Sequence, residues 1–164
     1  MKLASGENVV NRPNKHIHEE VEKYLAEAIG KISSGNKKFI VEEVVFDNII
    51  GDTICVETSD SDQIVWAMRP KRYGFTRFVK NRKPKPCSSM VIILLKAEEP
   101  NKYVIISSFI GKIAEPEPWD IPAFNSKPDP YEAGERSRAF WNTHALIWGY
   151  EKIVPGTETN VCPW

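Results

Sequence analysis

The chain of 164 residues has few cysteines and lacks the motifs that bind common cofactors. Its three cysteines, Cys55, Cys87 and Cys162, are odd in number and widely spaced, with no Cys-x-x-Cys pair or cysteine–histidine cluster. This pattern argues against both a disulfide framework and a structural zinc site, so we expect no metal. The Walker, Gly-x-Gly-x-x-Gly, Gly-x-Ser-x-Gly and His-Glu-x-x-His motifs are also absent. We therefore expect no cofactor and none of the common nucleotide-binding or hydrolase classes.

Long hydrophobic runs are absent as well. The longest apolar block, Met90 to Leu95, has the length of a strand and cannot span a bilayer. The N-terminus turns polar within a few residues and has no apolar signal core. We therefore expect a cytoplasmic protein without membrane association. The length predicts a single domain over residues 1–164, with a compact core at about 15–150 and a loosely held tail at 151–164.

Positive charge is concentrated in one span, although the formal net charge is zero. This span, residues 69–85 (RPKRYGFTRFVKNRKPK), is called the basic segment; it holds eight of the 22 lysines and arginines and no acidic residue. Tyr73, Phe75 and Phe78 lie among the cations. Lysine and arginine neutralise phosphates, and aromatic rings stack on unpaired bases at about 1–3 kcal/mol each. The basic segment therefore favours RNA as a partner, and the alternative is a solvated charged loop.

Apolar periodicity predicts a helix near each end of the chain and strands between them. The spacing of apolar residues predicts a first helix from about Ile17 to Ile32 and a second from Tyr131 to Trp148, ended by Gly149. Runs of β-branched and aromatic residues predict strands at 39–46, 53–57, 63–68, 90–96 and 103–110, the last two as a hairpin. The predicted class is α+β, with an N-terminal and a C-terminal helix on a mainly antiparallel sheet of about four to six strands.

Two histidines, His16 and His18, lie at the start of the first predicted helix. At about 100° per residue, His18 lies at the border of the apolar stripe and His16 well outside it. Histidine titrates near neutral pH and suits acid–base catalysis, for which His18 is the better candidate. The alternatives are a purely structural pair and a metal site, the latter disfavoured because the rings diverge by about 200°. His144 lies on an apolar helical face, where a hydrogen-bonded core histidine is the default.

Three further places in the sequence carry side chains that are candidates for a functional site. Arg77 lies in an alternating stretch typical of a short strand, where a guanidinium needs little further ordering to clamp a phosphate. Ser107 and Ser108 interrupt an apolar strand, and a hydroxyl there either serves a site or bonds to neighbouring backbone. Trp119 lies in a proline-rich loop as an anchor or a platform for a base. The residues that we expect to contact nucleic acid are Arg69, Lys71, Arg72, Tyr73, Thr76, Lys80, Arg82 and Trp119.

Four pieces of the sequence together resemble a known group of ribonucleases. They are the HIH at the head of the first helix, the basic TRFVKNR element, the strand ending ISSFIG, and the closing AFWNTHALIWG. With these pieces, the chain from about Lys15 to Gly149 is similar to the metal-independent barnase, EndoU, colicin and RelE-like (BECR) ribonucleases. It is most similar to their toxin-like branch from phages and mobile elements. The resemblance also introduces an immunity or antitoxin protein as a candidate partner.

The resemblance implies a reaction and residue roles. His16 or His18 would act as general base or acid, Arg77 with Lys80 or Arg82 would stabilise the phosphorane, and Ser107 would contact the scissile phosphate. A base would remove the 2′-OH proton, that oxygen would attack phosphorus, and an acid would protonate the leaving 5′-oxygen. The products would be a 2′,3′-cyclic phosphate and a 5′-OH. The alternatives are a non-catalytic RNA-binding or protein-interaction module, and a domain whose basic loop docks an acidic protein.

Overall fold

The computed structural model describes residues 1–13, 17 and 19–164. The chain divides into two compact units, the first built from Met1–Thr53 and Pro86–Ile113, the second from Ile54–Lys85 and Ala114–Trp164. The prediction of a single domain stays a prediction. The elements are, in chain order, β1 (Asn8–Asn11), α1 (Glu19–Ile29), β2 (Phe39–Val45), β3 (Gly51–Thr53), β4 (Cys55–Glu57), β5 (Ile64–Met68), β6 (Phe75–Val79), β7 (Lys85–Cys87), β8 (Ser89–Lys96), β9 (Lys102–Ile110), α2 (Ile121–Asn125), α3 (Pro130–Trp141), β10 (His144–Ile147) and a 3₁₀ helix (Tyr150–Lys152).

The first unit is a four-stranded sheet with α1 on one face. Its strand order is β1-β9-β8-β2, with β1 parallel to β9 and the other neighbours antiparallel, while β3 and β7 pair separately. α1 begins with Glu19 and Glu20, which a helix N-terminus favours because its partial charge is positive. Apolar residues three and four positions apart form a stripe that belongs to one core cluster with Ile40 and Ile92. The buried residues of this stripe are Val21, Leu25, Ala28 and Ile29.

The predicted β8–β9 hairpin is confirmed, and it contains an irregularity. The register shifts between Ile93 and Leu94, so that Ser107 pairs with Ile93 and Ser108 pairs with Ile92. Ile92 belongs to the core beneath α1. Because neighbouring strand residues face opposite sides of a sheet, Ser108 points to the α1 side and Ser107 to the other side.

The second unit is also built around a four-stranded sheet, with strand order β4-β10-β6-β5. β10 is antiparallel to β4 and parallel to β6, and β5 and β6 form an antiparallel hairpin. One face of the sheet packs around Phe78 against Trp141 of α3. The opposite face carries a smaller cluster, made of Val56, Val79, Ala145 and Ile147. The two central strands are therefore covered by apolar contacts on both sides.

Two aspartates start the helices of the second unit. Oδ1 of Asp120 accepts a hydrogen bond from the backbone N–H of Ala123 at 3.4 Å, and Oδ1 of Asp129 accepts one from Glu132 at 3.1 Å. Each cap is followed closely by a proline, whose fixed φ suits the first helical turn and whose missing N–H costs nothing there. The proline-rich loop thus contains short helix α2 and the start of α3.

The α+β class is confirmed, but parts of the predicted layout are wrong. The second predicted helix, Tyr131 to Trp148, ends at Trp141, and His144–Ile147 forms strand β10 instead. β10 is apolar on both sides, and a short run of this kind cannot be distinguished from a buried helix by periodicity. Instead of one sheet of four to six strands, the described residues form sheets of four, four and two strands, including two parallel pairs.

The C-terminal segment 151–164, expected to be loosely held, is hydrogen bonded to other parts of the second unit. Trp66 of β5 and Thr159 exchange two backbone hydrogen bonds of 2.9 and 2.8 Å. Val154 donates its N–H to the carbonyl of Met68 at 2.7 Å, and Nε1 of Trp164 donates to Oδ1 of Asn142 at 3.0 Å. The bonds to Trp66 and Met68 use the outer edge of β5, which would otherwise expose unpaired backbone groups.

None of the helices in the described ranges is long and apolar enough to cross a bilayer.

Candidate nucleic-acid interface

The basic segment forms the loop of the β5–β6 hairpin, strand β6 and the turn that follows it. The loop covers residues 69–74, and Lys71 within it adopts a left-handed φ of 61°. Lys80 and Arg82 follow β6 at its other end. A strand of this length spans roughly 16 Å. The eight cations are therefore separated in space, with three at the hairpin loop, Arg77 in the middle of β6, and four after the end of the strand.

Three residues at the hairpin loop form an exposed group, here called the open tip: Lys71, Arg72 and Tyr73. All three are exposed, and Tyr73 retains 92% of its accessible surface. Their side chains make no hydrogen bond, ion pair or ring contact with any other residue that the structure describes. The open tip thus presents two unneutralised cations and a freely accessible aromatic ring, the pairing that single-stranded nucleic acids bind.

Arg69 and Thr76, also predicted to contact nucleic acid, are bonded to a buried carboxylate. Glu117 is 8% exposed and accepts hydrogen bonds from a guanidinium N–H of Arg69 and from the hydroxyl of Thr76, the latter at 2.5 Å. Nε of Arg69 also donates to Oγ1 of Thr76 at 3.1 Å. The three side chains form a closed network at the base of the hairpin loop. The hydrogen bonds of the three side chains to one another hold the hairpin loop in position.

Trp119 lies against the backbone of the same loop. A Cβ placed on Gly74 would be 2.2 Å from the Cβ of Trp119, so the contact requires glycine. The indole Nε1 of Trp119 is buried and has no hydrogen-bond partner in the described ranges. The proline-rich loop therefore holds the hairpin loop at two places, through Glu117 and through Trp119. Of the two roles considered for Trp119, the geometry supports that of an anchor.

Arg77 lies on β6, half-buried, and is held by two hydrogen bonds. Its Nη1 donates to Oγ1 of Thr58 at 2.8 Å and to the carbonyl of His144 at 3.0 Å. Burial lowers the pKa of the guanidinium, although arginine stays charged at neutral pH. Its remaining N–H groups make no hydrogen bond to a described residue and are able to donate to a phosphate.

His144, the first residue of β10, is a histidine with one nitrogen fixed. Its ring stacks on Phe140 with centroids 4.0 Å apart and planes 6° apart. Nδ1 lies 3.0 Å from the carbonyl oxygen of Phe140 and 3.0 Å from Oγ1 of Thr143. A carbonyl only accepts, so Nδ1 carries a proton and Nε2 of the neutral ring keeps its lone pair. The ring is half-buried, which leaves it accessible for proton transfer.

The sheet places His144 close to the hairpin that carries the basic segment. Leu146 pairs with Phe78 in the parallel β10–β6 ladder, which puts His144 level with Thr76. Its antiparallel neighbour on β4 is Glu57. Sequence reasoning missed this position because it assigned His144 to a helix. The turn residues Asn142 and Thr143 between the two apolar stretches were the available signal for a change of element.

Lys80 and Arg82, at the far end of β6, are both engaged. Nζ of Lys80 lies 4.7 Å from the ring centroid of Trp148. Arg82 binds both carboxylate oxygens of Asp62, at 2.8 and 3.0 Å. This pair, with the backbone N–H of Ser59, lowers the pKa of Asp62 to about 2. The resemblance implies that Lys80 or Arg82 helps to stabilise the phosphorane. In that role, either side chain would bind a phosphate in addition to its present partner.

The remaining predicted catalytic residues lie elsewhere. His16 and His18 fall outside the described residues. Ser107 is half-buried on β9 of the first unit, whereas Arg77 belongs to the second. Ser108 on the same strand has a buried hydroxyl without a partner in the described part of the chain. The grouping of His16, His18, Arg77 and Ser107 stays a prediction. No set of three or more histidine, cysteine or acidic residues among those described is arranged to hold a metal ion.

Comparisons with known proteins reveal a shared fold and no family. No family model matches the chain, and no curated protein matches it. Among solved structures, a conserved hypothetical protein from Toxoplasma gondii ME49 is similar, with a TM-score of 0.52 and 15% sequence identity. The match covers 83% of this chain and 86% of that chain. At this identity the likeness shows the fold alone.

Proposed function

We propose that this protein binds single-stranded RNA and cleaves it as a metal-independent endoribonuclease of the BECR type. The observation that carries the proposal is the open tip, in which Lys71 and Arg72 flank the exposed ring of Tyr73 without any described partner. The cations would each neutralise a phosphate, and the ring would stack on a base. Because the loop is held by Glu117 and Trp119, little ordering of its backbone would oppose binding.

Cleavage requires a proton-transfer group and a cation near the scissile phosphate. His144 supplies the first in the described part of the chain, since its Nδ1–H is fixed and its Nε2 can accept or donate a proton. Arg77, bonded to the carbonyl of the same residue, supplies a positive charge that the dianionic phosphorane would attract. Transesterification needs a second proton-transfer group, and His16 or His18 is our candidate for it.

The second candidate function is an RNA-binding module without catalysis. The observation in its favour is that Arg69, Thr76 and Arg82 are bonded to acidic residues of the chain itself. In such a module the open tip would still bind RNA, and replacing a histidine would leave the interaction unchanged.

The test is cleavage of a mixed tRNA and mRNA pool in EDTA, with end-group analysis of the fragments. Wild type is compared with His18→Ala, His144→Gln and Arg77→Ala, and Lys102→Ala serves as a control for loss of one positive charge in the first unit. We expect cyclic phosphate ends from wild type and the control, and a loss of at least about 100-fold in each active-site variant. Circular dichroism of each variant separates loss of folding from loss of chemistry.

Two outcomes decide between the candidates. Fragments with 2′,3′-cyclic phosphate ends that depend on Arg77 and a histidine support the ribonuclease. Inert wild type that still binds RNA in a salt-dependent manner leaves the binding module. RNA binding that is absent at low salt would contradict both.

A further inference from the structure

Strand β2 is the edge strand of the sheet in the first unit, and no residue that the structure describes pairs with its outer side. β2 pairs in register with β8 and lies at the end of the strand order β1-β9-β8-β2. Just beyond the two ends of β2, the backbone N–H of Lys96 donates to the carbonyl of Lys38 at 2.8 Å. The backbone N–H of Phe46 donates to the carbonyl of Ser88 at 2.7 Å. Antiparallel ladders alternate, so even-numbered residues between these bonds point their backbone groups at β8. The odd-numbered residues 39, 41, 43 and 45 therefore direct their N–H and C=O groups outward.

The two faces of β2 differ in burial. Ile40 and Val44 face α1 and are 2% and 7% exposed, so the strand is held firmly by the core. Phe39, Val41 and Val45 lie on the other face and are 52%, 38% and 62% exposed. The outward backbone groups thus run beside three exposed apolar side chains. Glu43 lies on the same face between Val41 and Val45 and accepts a hydrogen bond from the N–H of Ile113 at 3.1 Å. An edge of this kind is a template for the addition of another strand.

The centre of β2 is acidic. Glu42 and Glu43 occupy the middle of the strand, and neither forms an ion pair with a residue that the structure describes. A groove beside the strand is lined by residues 31–33 and 42–45. Lys31 on this groove pairs with Glu27 at 3.4 Å and lies 4.5 Å from the ring centroid of Phe46. The negative charge on the groove side is therefore left for a partner to neutralise.

We propose that the outer edge of β2 binds an extended peptide as an additional strand, with apolar side chains alternating with lysine or arginine. The apolar side chains would continue the row formed by Phe39, Val41 and Val45. The basic side chains would point to the groove side and meet Glu42. Main-chain hydrogen bonds to the outward groups would supply affinity, and the charges would select the register.

The acidic centre disfavours a second copy of this chain as the natural occupant. Two β2 strands related by a two-fold axis and fully overlapped would place Glu42 of one copy opposite Glu42 of the other. Like charges directly opposite each other destabilise a strand pair. A basic peptide turns the same carboxylate into an attraction, which is why we favour it as the partner. This proposal does not depend on RNA binding.

The first experiment measures fluorescence anisotropy of a dye-labelled peptide, TVKVKVT, titrated with the full chain. Val41→Pro removes one outward N–H, and since that group makes no ladder bond, the edge strand tolerates the change. Val41→Thr is the matched control that keeps the N–H. We expect saturable binding to wild type, binding within about twofold for Val41→Thr, and at least about tenfold weaker binding for Val41→Pro. Equal binding to the proline and threonine variants would overturn the proposal.

A charge exchange keeps the test decisive even if the proline variant does not fold. Glu42→Lys should bind TVKVKVT at least about tenfold more weakly than wild type and should bind TVEVEVT more tightly than wild type does. An unchanged preference for the basic peptide would contradict the proposed contact. Analytical ultracentrifugation tests whether a second copy of the chain binds the edge instead. Concentration-dependent dimers of wild type that Glu42→Lys or Val41→Pro abolishes would show that it does, and would overturn the proposal.

Discussion

The side chain that organises the candidate interface at the residue scale is Glu117. Its carboxylate is almost fully buried and binds Arg69 and Thr76, residues that lie in and beside the hairpin loop. Its negative charge also contributes, after burial, to raising the pKa of Cys55 to about 11, so that thiol is not a nucleophile at neutral pH. A buried carboxylate that loses its partner is an uncompensated charge. The stability of the loop therefore depends on residues that were expected to bind RNA.

Arg69→Ala should destabilise the protein much more than Arg72→Ala. Removing Arg69 leaves the buried carboxylate of Glu117 without its cationic partner. We expect this to cost about 2–4 kcal/mol, less than for a fully buried pair, because the Arg69 side chain is 27% exposed. Arg72 is exposed without a described partner, so its removal should change the free energy of unfolding by less than about 0.5 kcal/mol. Urea unfolding followed by circular dichroism measures both. Equal midpoints would show that the Glu117 network does not stabilise the fold.

The Asp62–Arg82 pair should add stability that is lost at acidic pH. The folded pKa of Asp62, about 2, lies below the unfolded value of about 3.9. Its stabilising contribution is therefore complete above about pH 4 and disappears as pH falls toward 2. Asp62→Asn should be less stable than wild type at pH 7, and the difference should shrink across this window. Asp60→Asn, in the same turn, is the control for loss of one carboxylate.

At the scale of elements, the contact between the proline-rich loop and the hairpin loop sets the position of the open tip. Gly74 and Trp119 approach so closely that no side chain fits between them. The Arg69–Glu117 ion pair joins the same two loops. Two independent contacts of this kind restrict the hairpin loop more than either would alone, which favours a preformed binding surface.

Gly74→Ala should displace Trp119 and loosen the tip. The added Cβ would meet the Cβ of Trp119 at 2.2 Å, an atom that cannot move without its backbone, and we expect a cost of about 1–3 kcal/mol. Gly30→Ala is the matched control, since its nearest atoms lie at 3.4 and 3.5 Å. Thermal unfolding and RNA affinity are measured for both variants. A Gly74→Ala protein as stable as the Gly30→Ala protein would contradict the close packing.

At the scale of the whole molecule, the absence of net charge limits the long-range attraction to RNA. Formal net charge is zero, so affinity must come from local contacts at the places where cations are unneutralised. Four cations of the basic segment have described acidic, carbonyl or aromatic partners, namely Arg69, Arg77, Lys80 and Arg82. Of the other four, Lys71 and Arg72 lie beside the exposed ring of Tyr73, whereas Lys83 and Lys85 follow β6. We expect the open tip to contribute most to the binding that we propose, because it combines cations with an aromatic ring.

The salt dependence of RNA binding should reflect the open tip. Each phosphate contact to a single strand contributes a slope of about −0.7 in log K against log salt, so Lys71→Ala with Arg72→Ala should reduce the slope by about 1.4. The control is Lys96→Ala with Lys102→Ala, which removes the same charge from the first unit. Anisotropy titrations of a labelled oligouridine between about 50 and 200 mM salt give the slopes. Equal slopes for the two double variants would place the RNA elsewhere.

The sequence by itself determined those features that depend on neighbours along the chain. The apolar stripe of α1, the alternation in β6 and the β8–β9 hairpin are local patterns, because helices and strands impose periods of 3.6 and 2 on the residues that they bury. The position of Tyr73 among cations was also readable from the sequence. The concentration of lysine and arginine in the basic segment was likewise visible, because it is a property of neighbouring residues in the sequence.

Only the tertiary structure decided which of those residues are free to bind a partner. Glu117 is 41 residues from Thr76 in sequence, and no local pattern indicates that its carboxylate takes the hydrogen bonds of Thr76 and Arg69. The conversion of His144–Ile147 from helix to central strand likewise arises from pairing with β4 and β6, which supply hydrogen bonds and burial that the segment cannot provide for itself. Charge is a property of the residue, but its availability depends on the partners that distant parts of the chain bring within hydrogen-bond distance.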